Sequence, residues 1–98
     1  MYLRGRIAEG KVARDLADRG FENIRMSGGS RGPADIYARK DGVKYYVQVK
    51  SGSAHLDSEG RHDLRALAKD RGGVAVSIHR SEGQQRWQFL GNWSKKRR

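Results

Sequence analysis

The chain contains no cysteine, a single proline and no long hydrophobic run. Without cysteine it can form neither a disulfide framework nor a cysteine-based zinc site. The longest apolar run is far too short to span a membrane, and the first residues lack the apolar segment of a signal peptide. We therefore expect an intracellular, cytoplasmic protein that makes no use of a membrane.

Acidic residues are scarce relative to basic ones. Lysine and arginine number 21 against 11 acidic residues, which gives a net charge of +10 over 98 residues. Residues 1–50 carry 11 basic and 6 acidic groups and residues 51–98 carry 10 and 5, so each half contributes +5. A small domain that is basic throughout is typical of a protein that meets a polyanion, and nucleic acid is the first candidate.

The apolar residues, 36% of the chain, fall in periodic blocks and predict one α/β domain over residues 1–94, followed by a basic tail at 95–98. The Asp41–Gly42 pair predicts a hairpin turn, and the glycine-rich stretch 27–33 predicts a loop. A helix separates the earlier strands from the later ones, so we expect a mixed sheet flanked by helices. The pattern predicts helices at 3–19 and 63–71, with 57 as an alternative start of the second. Strand candidates lie at 21–26, 34–39, 43–50, 74–79 and 86–90, in the order helix, three strands, helix and one or two strands.

Three polar residues interrupt the strand candidates that follow the glycine-rich loop: Asp35, Gln48 and Lys50. Side chains alternate across a strand, so Gln48 and Lys50 share one face while the valines between them point toward the helices. We expect Asp35 to face outward on the neighbouring strand. The three polar groups can then converge at one end of the hairpin.

A carboxylate and an amide oxygen suit a hard divalent cation such as Mg²⁺, which can activate water and stabilise charge on a phosphate. The ammonium group of Lys50 can orient a nucleophile or neutralise developing charge, and Glu9 on the first helix can add a second carboxylate. The alternative is that Gln48 and Lys50 only decorate an exposed face. His55, His62 and His79 lack the spacing of a metal-binding helix, and we expect surface or backbone-contacting roles for them.

The segments "PAD" and "VQVK" resemble the bipartite motif of the PD-(D/E)xK nuclease superfamily. More narrowly, "GRIAEGKVARDLADRGF", "SGGSRGPADIYA" and "YYVQVKSG", within about residues 4–52, resemble the archaeal-type Holliday junction resolvases. The resemblance implies a restriction-endonuclease-like fold and a homodimer that cleaves DNA four-way junctions with Mg²⁺, for which Mn²⁺ substitutes.

The resemblance also implies roles for individual residues. Gln48 departs from the resolvase pattern, which has glutamate there, and is similar to the Q-x-K of Mrr-type endonucleases; an amide oxygen ligates a metal more weakly than a carboxylate. The implied metal ligands are Glu9, Asp35 and Gln48, the other catalytic residues Lys50 and Ser30, and the candidate DNA-binding residues Arg4, Arg6, Lys11, Arg25 and Arg31.

Three functions follow as alternatives. The first is a structure-specific DNA endonuclease that resolves four-way junctions by paired symmetric nicks. The second is an Mrr-like or nicking endonuclease acting on duplex DNA, and the third is a DNA-binding module whose catalysis has lapsed. We expect Leu90 and Trp93 to contribute to a dimer surface, and Trp87 and Trp93 to be core or dimer contacts rather than platforms for base stacking.

Overall fold

The computed structural model describes residues 2–27 and 32–95, with side chains from residue 6 onward. The elements follow the predicted order, and the two closing strands are both formed. In chain order they are α1 (Tyr2–Asp18), β1 (Glu22–Met26), β2 (Ile36–Lys40), β3 (Val43–Ser51), α2 (Ser58–Arg71), β4 (Val74–Ser81) and β5 (Gln84–Asn92).

The five strands form one sheet in the order β1-β2-β3-β4-β5. Only the β3–β4 pair is parallel, because α2 carries the chain back to the starting edge between them. The other neighbours are antiparallel. Asp41 and Gly42 both have positive φ, 53° and 79°, as the tight turn between β2 and β3 requires. The predicted mixed α/β sheet is confirmed.

Each face of the sheet is covered by one helix. On one face α1 places Ala8, Val12 and Leu16, spaced one helical turn apart, against a core that includes Ile36 and Val47. The expectation that Val47 and Val49 point toward a helix is confirmed on this face.

On the other face α2 packs Leu64 and Ala68 against Tyr46 and Ala75. Leu90 and Trp93 pack against this second core as partly buried side chains. The expectation that these two residues contribute to a dimer surface stays a prediction, since each also keeps an exposed part. Trp87 and Trp93 are core contacts, as predicted.

Helix α2 begins and ends at residues suited to those positions. The Asp57 carboxylate accepts a hydrogen bond of 2.8 Å from the backbone N–H of Gly60, and Gly72 ends the helix in the left-handed conformation. Asp57, the earlier of the two starts considered from the sequence, is the N-cap. Neither helix, over the residues described, is long and apolar enough to cross a membrane.

Candidate metal and nucleic-acid site

Asp35 lies directly before β2 and is only 6% exposed. Its backbone N–H donates to the carbonyl of Val47, and its Oδ2 accepts a hydrogen bond of 2.9 Å from the backbone N–H of Val49. The carboxylate thus replaces a main-chain acceptor at the end of the β2–β3 ladder. The expectation that Asp35 faces outward is wrong, since the side chain turns onto the backbone of β3.

Burial raises the pKa of the Asp35 carboxyl above its ordinary value. The hydrogen bond from Val49 and the positive charge of Lys50 oppose this increase in the pKa without cancelling it. Lys50 directly follows Val49, whose N–H donates to the Asp35 carboxylate. The two motif residues predicted to act together are therefore neighbours in the fold.

Glu9 faces the same region from α1 and is partly buried. Burial raises the pKa of the Glu9 carboxyl, the Asp35 carboxylate raises it further, and the guanidinium of Arg6 lowers it. Ala8, next to Glu9, and Ile36, next to Asp35, belong to the same core cluster, so α1 and the segment that enters β2 carry the two carboxylates at the border of one core. Their mutual repulsion, in a partly dehydrated setting, is the electrostatic condition that a bound cation relieves.

Gln48 and Lys50 lie on β3, on the face that α2 covers further along the strand. The register places Gln48 one step beyond the Ile36–Val47 pair and therefore opposite Asp35. Both Gln48 and Lys50 line a groove whose far wall is the start of α2. Gln48 and Lys50 are not fully exposed surface residues, because each is partly buried in this groove.

The same groove contains residues to which the sequence analysis gave no role at the site: His55, Asp57 and Asp63. His55 stacks on His79, with ring centroids 4.9 Å apart and planes 12° apart. His79 pairs with Lys50 across the parallel strands, and its Nε2 lies 2.8 Å from the carbonyl oxygen of Gly52. The backbone-contacting role expected for a histidine is confirmed for His79. The parallel β3–β4 register is the signal that would have placed it beside Lys50.

The donor set fits a hard cation such as Mg²⁺. The hydrogen bond from Val49 engages Oδ2 of Asp35, and Oδ1 is the second oxygen of the same carboxylate. Within the same described part, no group of three or more histidine, cysteine or acidic side chains is placed to hold a metal. The candidate set is instead two carboxylates, Glu9 and Asp35, with the amide oxygen of Gln48, a set of oxygen ligands that Mg²⁺ with retained waters accepts.

The remaining predicted residues divide by location. Arg6 and Lys11 are exposed on α1, and Arg25 is exposed on β1. Ser30, Arg31, the side chain of Arg4 and the tail residues 96–98 lie outside the described residues. The roles of all these residues in DNA binding or catalysis stay predictions.

The architecture matches that of a solved nuclease. A structure described as Hjc, a Holliday junction resolvase from the archaeal hyperthermophile Archaeoglobus fulgidus, superposes with a TM-score of 0.76. The superposition covers 89% of this chain and 73% of that one, at 19% sequence identity. The chain therefore has the restriction-endonuclease-like α/β fold.

At the sequence level the chain is similar to UPF0102 proteins. A UPF0102 protein of Campylobacter jejuni subsp. doylei is 30% identical over 69 residues, and one from C. jejuni strain RM1221 is 32% identical over 69 residues. The match covers 69% of this chain and 62% of each relative, so the chain spans a little under two thirds of the relatives' length. No protein-family model matches the chain.

Proposed function

We propose that the protein is a divalent-metal-dependent DNA endonuclease. The observation that carries this proposal is the buried carboxylate of Asp35, which accepts a hydrogen bond from the N–H of Val49 beside Lys50. The charge of Asp35 also raises the pKa of the Glu9 carboxyl on α1. A bound cation would relieve the repulsion between the two carboxylates. The neighbouring ammonium group can interact with a phosphate. The resolvase-like fold supports this assignment.

Each residue has a distinct part in the proposal. Glu9, Asp35 and Gln48 hold Mg²⁺ or Mn²⁺, and the hydrogen bond from Val49 fixes the Asp35 carboxylate in place. The bound ion would supply Lewis-acid polarisation of the phosphate and acidify water. Lys50 orients the attacking water or neutralises charge on the phosphate, and Ser30 lies in the loop that would approach the scissile group.

The proposed substrate is DNA, and more narrowly a four-way junction cut by a homodimer. The net charge of +10 supports a nucleic-acid substrate, and the exposed cations Arg6, Lys11 and Arg25 would contact its phosphates. The likeness of the fold to a junction resolvase supports the choice of a branched substrate. Arg4 and Arg31 complete the proposed DNA-binding set.

A second candidate function is cleavage or nicking of ordinary duplex. The observation that favours it is Gln48, which replaces the glutamate of the resolvase motif by the amide found in Mrr-type endonucleases. A DNA-binding module without catalysis is the third candidate, and the paired carboxylates argue against it.

One assay separates the three candidates. The wild-type protein, with Mg²⁺, is offered a linear duplex, a splayed fork and a four-way junction, with Asp35→Asn as the matched variant. We expect symmetric cleavage of the junction by the wild type and none by Asp35→Asn, while the variant still binds the junction. Cleavage of all three substrates alike would assign a duplex nuclease. Binding without cleavage in both Mg²⁺ and Mn²⁺ would leave only the binding module.

A further inference from the structure

A row of cations follows one side of α2, outside the candidate metal site. Arg61, Arg65 and Lys69 are spaced four residues apart and lie beside Trp93 in a shallow groove. Among the residues that the structure describes, no acidic side chain lines this groove. The row spans about 12 Å along the helix axis, which is the axial rise of three to four nucleotides of one DNA strand at about 3.4 Å each.

These cations are not compensated by carboxylates. Among the described residues, Arg61, Arg65 and Lys69 make no side-chain hydrogen bond or ion pair. By contrast, Arg19 at the end of α1 pairs with Asp15 at 2.7 Å. Like charges four residues apart destabilise a helix, so the row opposes the stability of α2 until an anion lies against it.

Trp93 contacts the side chain of Arg65, one of the three cations. The Arg65 guanidinium lies over the Trp93 ring, 5.8 Å from its centroid. Stacking fixes the plane of a guanidinium while leaving its N–H donors available for phosphate oxygens. The Trp93 ring is itself held in place, because its backbone N–H donates to the carbonyl of Gly73 and its side chain packs against the core.

The row begins at the end of α2 that also borders the groove of Gln48 and Lys50. Asp57 and Gly60 in the first turn of α2 line the groove that holds Gln48 and Lys50, whereas Ser58 and Arg61 in that turn open onto the cationic groove. A nucleic-acid strand leaving the candidate site at the start of α2 therefore meets Arg61 first. It then passes Arg65 and Lys69 toward the end of the helix.

We infer that Arg61, Arg65 and Lys69 form a second phosphate-binding surface, which holds the DNA backbone beyond the reacting phosphate. This inference rests on DNA being the substrate of the proposed function, and it adds a surface on the helix opposite α1. Its ligand is the sugar–phosphate backbone, because three cations in a row with free donors match a line of phosphates and read no base.

The test is the salt dependence of DNA binding in EDTA, where metal-dependent cleavage is blocked. Arg65→Gln/Lys69→Gln is compared with Arg14→Gln/Arg19→Gln, which removes the same charge from α1 and from the residue that follows it. For a fluorescent duplex and a four-way junction, we expect the first pair to reduce the slope of log K against log salt by about 1.8, at about 0.9 per lost phosphate contact. The α1 pair should leave the slope near its wild-type value.

A melting curve serves as the folding control, since Arg65→Gln/Lys69→Gln relieves repulsion within α2 and should not lower the melting temperature. An unchanged slope in this variant would overturn the inference. An acidic protein partner would then be the candidate ligand of the row. An equal loss in both pairs would also overturn it, because net charge alone would then explain binding. If DNA binding depends on these α2 residues but the protein cleaves no DNA, the proposed nuclease function is refuted and the proposed phosphate-binding surface still stands.

The absence of cysteine allows a second, independent test. Ala66 lies exposed in the cationic groove, and Ala17 is exposed on α1. Ala66→Cys and Ala17→Cys are each labelled with a photoactivatable crosslinker and irradiated with the same junction. We expect DNA crosslinks from position 66 and few from position 17, and no crosslink from position 66 would contradict the inference.

Discussion

The two carboxylate oxygens of Asp35 have different tasks. Oδ2 completes the hydrogen bonding of β3 by accepting from Val49, and Oδ1 is the oxygen proposed to ligate the metal. The side chain is therefore structural and functional at once. Substitutions that separate the acceptor from the charge distinguish the two tasks.

Asp35→Asn keeps an acceptor for the Val49 N–H and removes the charge, whereas Asp35→Ala removes both. We expect Asp35→Ala to lower the free energy of unfolding by about 1–3 kcal/mol, because a buried N–H loses its partner. Asp35→Asn should match or exceed wild-type stability at neutral pH. Urea unfolding of the three proteins measures the difference, and equal loss in both variants would contradict the division of tasks.

The pH dependence of stability follows from the raised pKa values of Asp35 and Glu9. In the window above their ordinary values of 3.8 and 4.5, the folded chain binds more protons than the unfolded chain. The contribution of these groups to the free energy of unfolding therefore falls as pH rises from about 4 through the raised pKa values. Asp35→Asn should flatten this part of the curve, and a wild-type curve unaffected by the substitution would show that Asp35 does not cause it.

Metal binding should offset the loss of stability that the two charged carboxylates cause at neutral pH. Mg²⁺ at about 100 times its dissociation constant stabilises a folded state by about 2.7 kcal/mol when it does not bind the unfolded chain. We expect a rise in melting temperature with Mg²⁺ or Mn²⁺ for the wild type at neutral pH and little for Asp35→Asn. This readout needs no DNA, and an equal rise in both proteins would place the metal elsewhere.

Substitutions at Gln48 should change the affinity of the proposed ligand set for Mg²⁺. Gln48→Glu adds a third negative charge, so it should lower the Mg²⁺ concentration needed for half-maximal cleavage, while Gln48→Leu should abolish cleavage. Titrations of cleavage rate against Mg²⁺ measure both effects. Full activity of Gln48→Leu at the wild-type Mg²⁺ requirement would exclude Gln48 as a ligand.

The residues of the site could be predicted only in part. The pattern of polar residues in apolar strands identifies Asp35, Gln48 and Lys50, because alternation predicts which side chains share a face. The burial of Asp35 could not be predicted in this way, since it depends on a side chain replacing a backbone acceptor on the next strand. His55 and Asp57 were missed because α2 brings them to the groove from a segment without a motif.

At the scale of elements, α2 links the candidate site to the proposed phosphate-binding row. Its first turn is fixed by Asp57, whose Oδ1 accepts from the N–H of Gly60 in the wall of the site groove. Asp57→Ala should lower the free energy of unfolding by about 1 kcal/mol, as the loss of an N-cap does. Chemical unfolding measures this loss.

Asp70→Ala is the matched control for that substitution. Asp70 is also on α2, but its carboxylate is exposed and lies 3.7 Å from Arg71, a pair that contributes little in water. We expect its unfolding free energy to stay within a few tenths of a kcal/mol of wild type. Equal destabilisation by both substitutions would show that Asp57 acts through its charge rather than through the cap.

Elements with a local signal were predicted best. The hairpin depends on Asp41 and Gly42, which both adopt the positive φ that their residue types favour, and β3 is rich in Val and Tyr. The start of α2 was less certain, because Ser58–Arg61 carries no apolar stripe and the helix begins there through its cap. The packing of Leu90 and Trp93 against the second core could not be predicted from their own segment, because it depends on contacts with other elements of the fold.

At the scale of the whole molecule, one chain of 98 residues offers one candidate site. One such site cuts one strand, whereas resolving a four-way junction requires two symmetric nicks. A homodimer with a two-fold axis presents two equivalent sites to a substrate of the same symmetry, and two-fold dimers are the commonest oligomers. The proposed junction activity therefore requires a dimer, and a contribution of Leu90 and Trp93 to its surface stays a prediction.

We expect a dimeric mass by light scattering and paired cuts within one binding event. On a supercoiled plasmid with an extruded cruciform, paired cuts give linear product directly, because both strands are cut before the enzyme leaves. A mixed dimer of wild type and Asp35→Asn, purified through two different tags, should give nicked circles instead, since one of its two sites lacks the proposed ligand. A monomeric mass together with nicked circles from the wild type would refute junction resolution and favour the nicking nuclease, while the roles proposed for Glu9, Asp35 and Lys50 would stand.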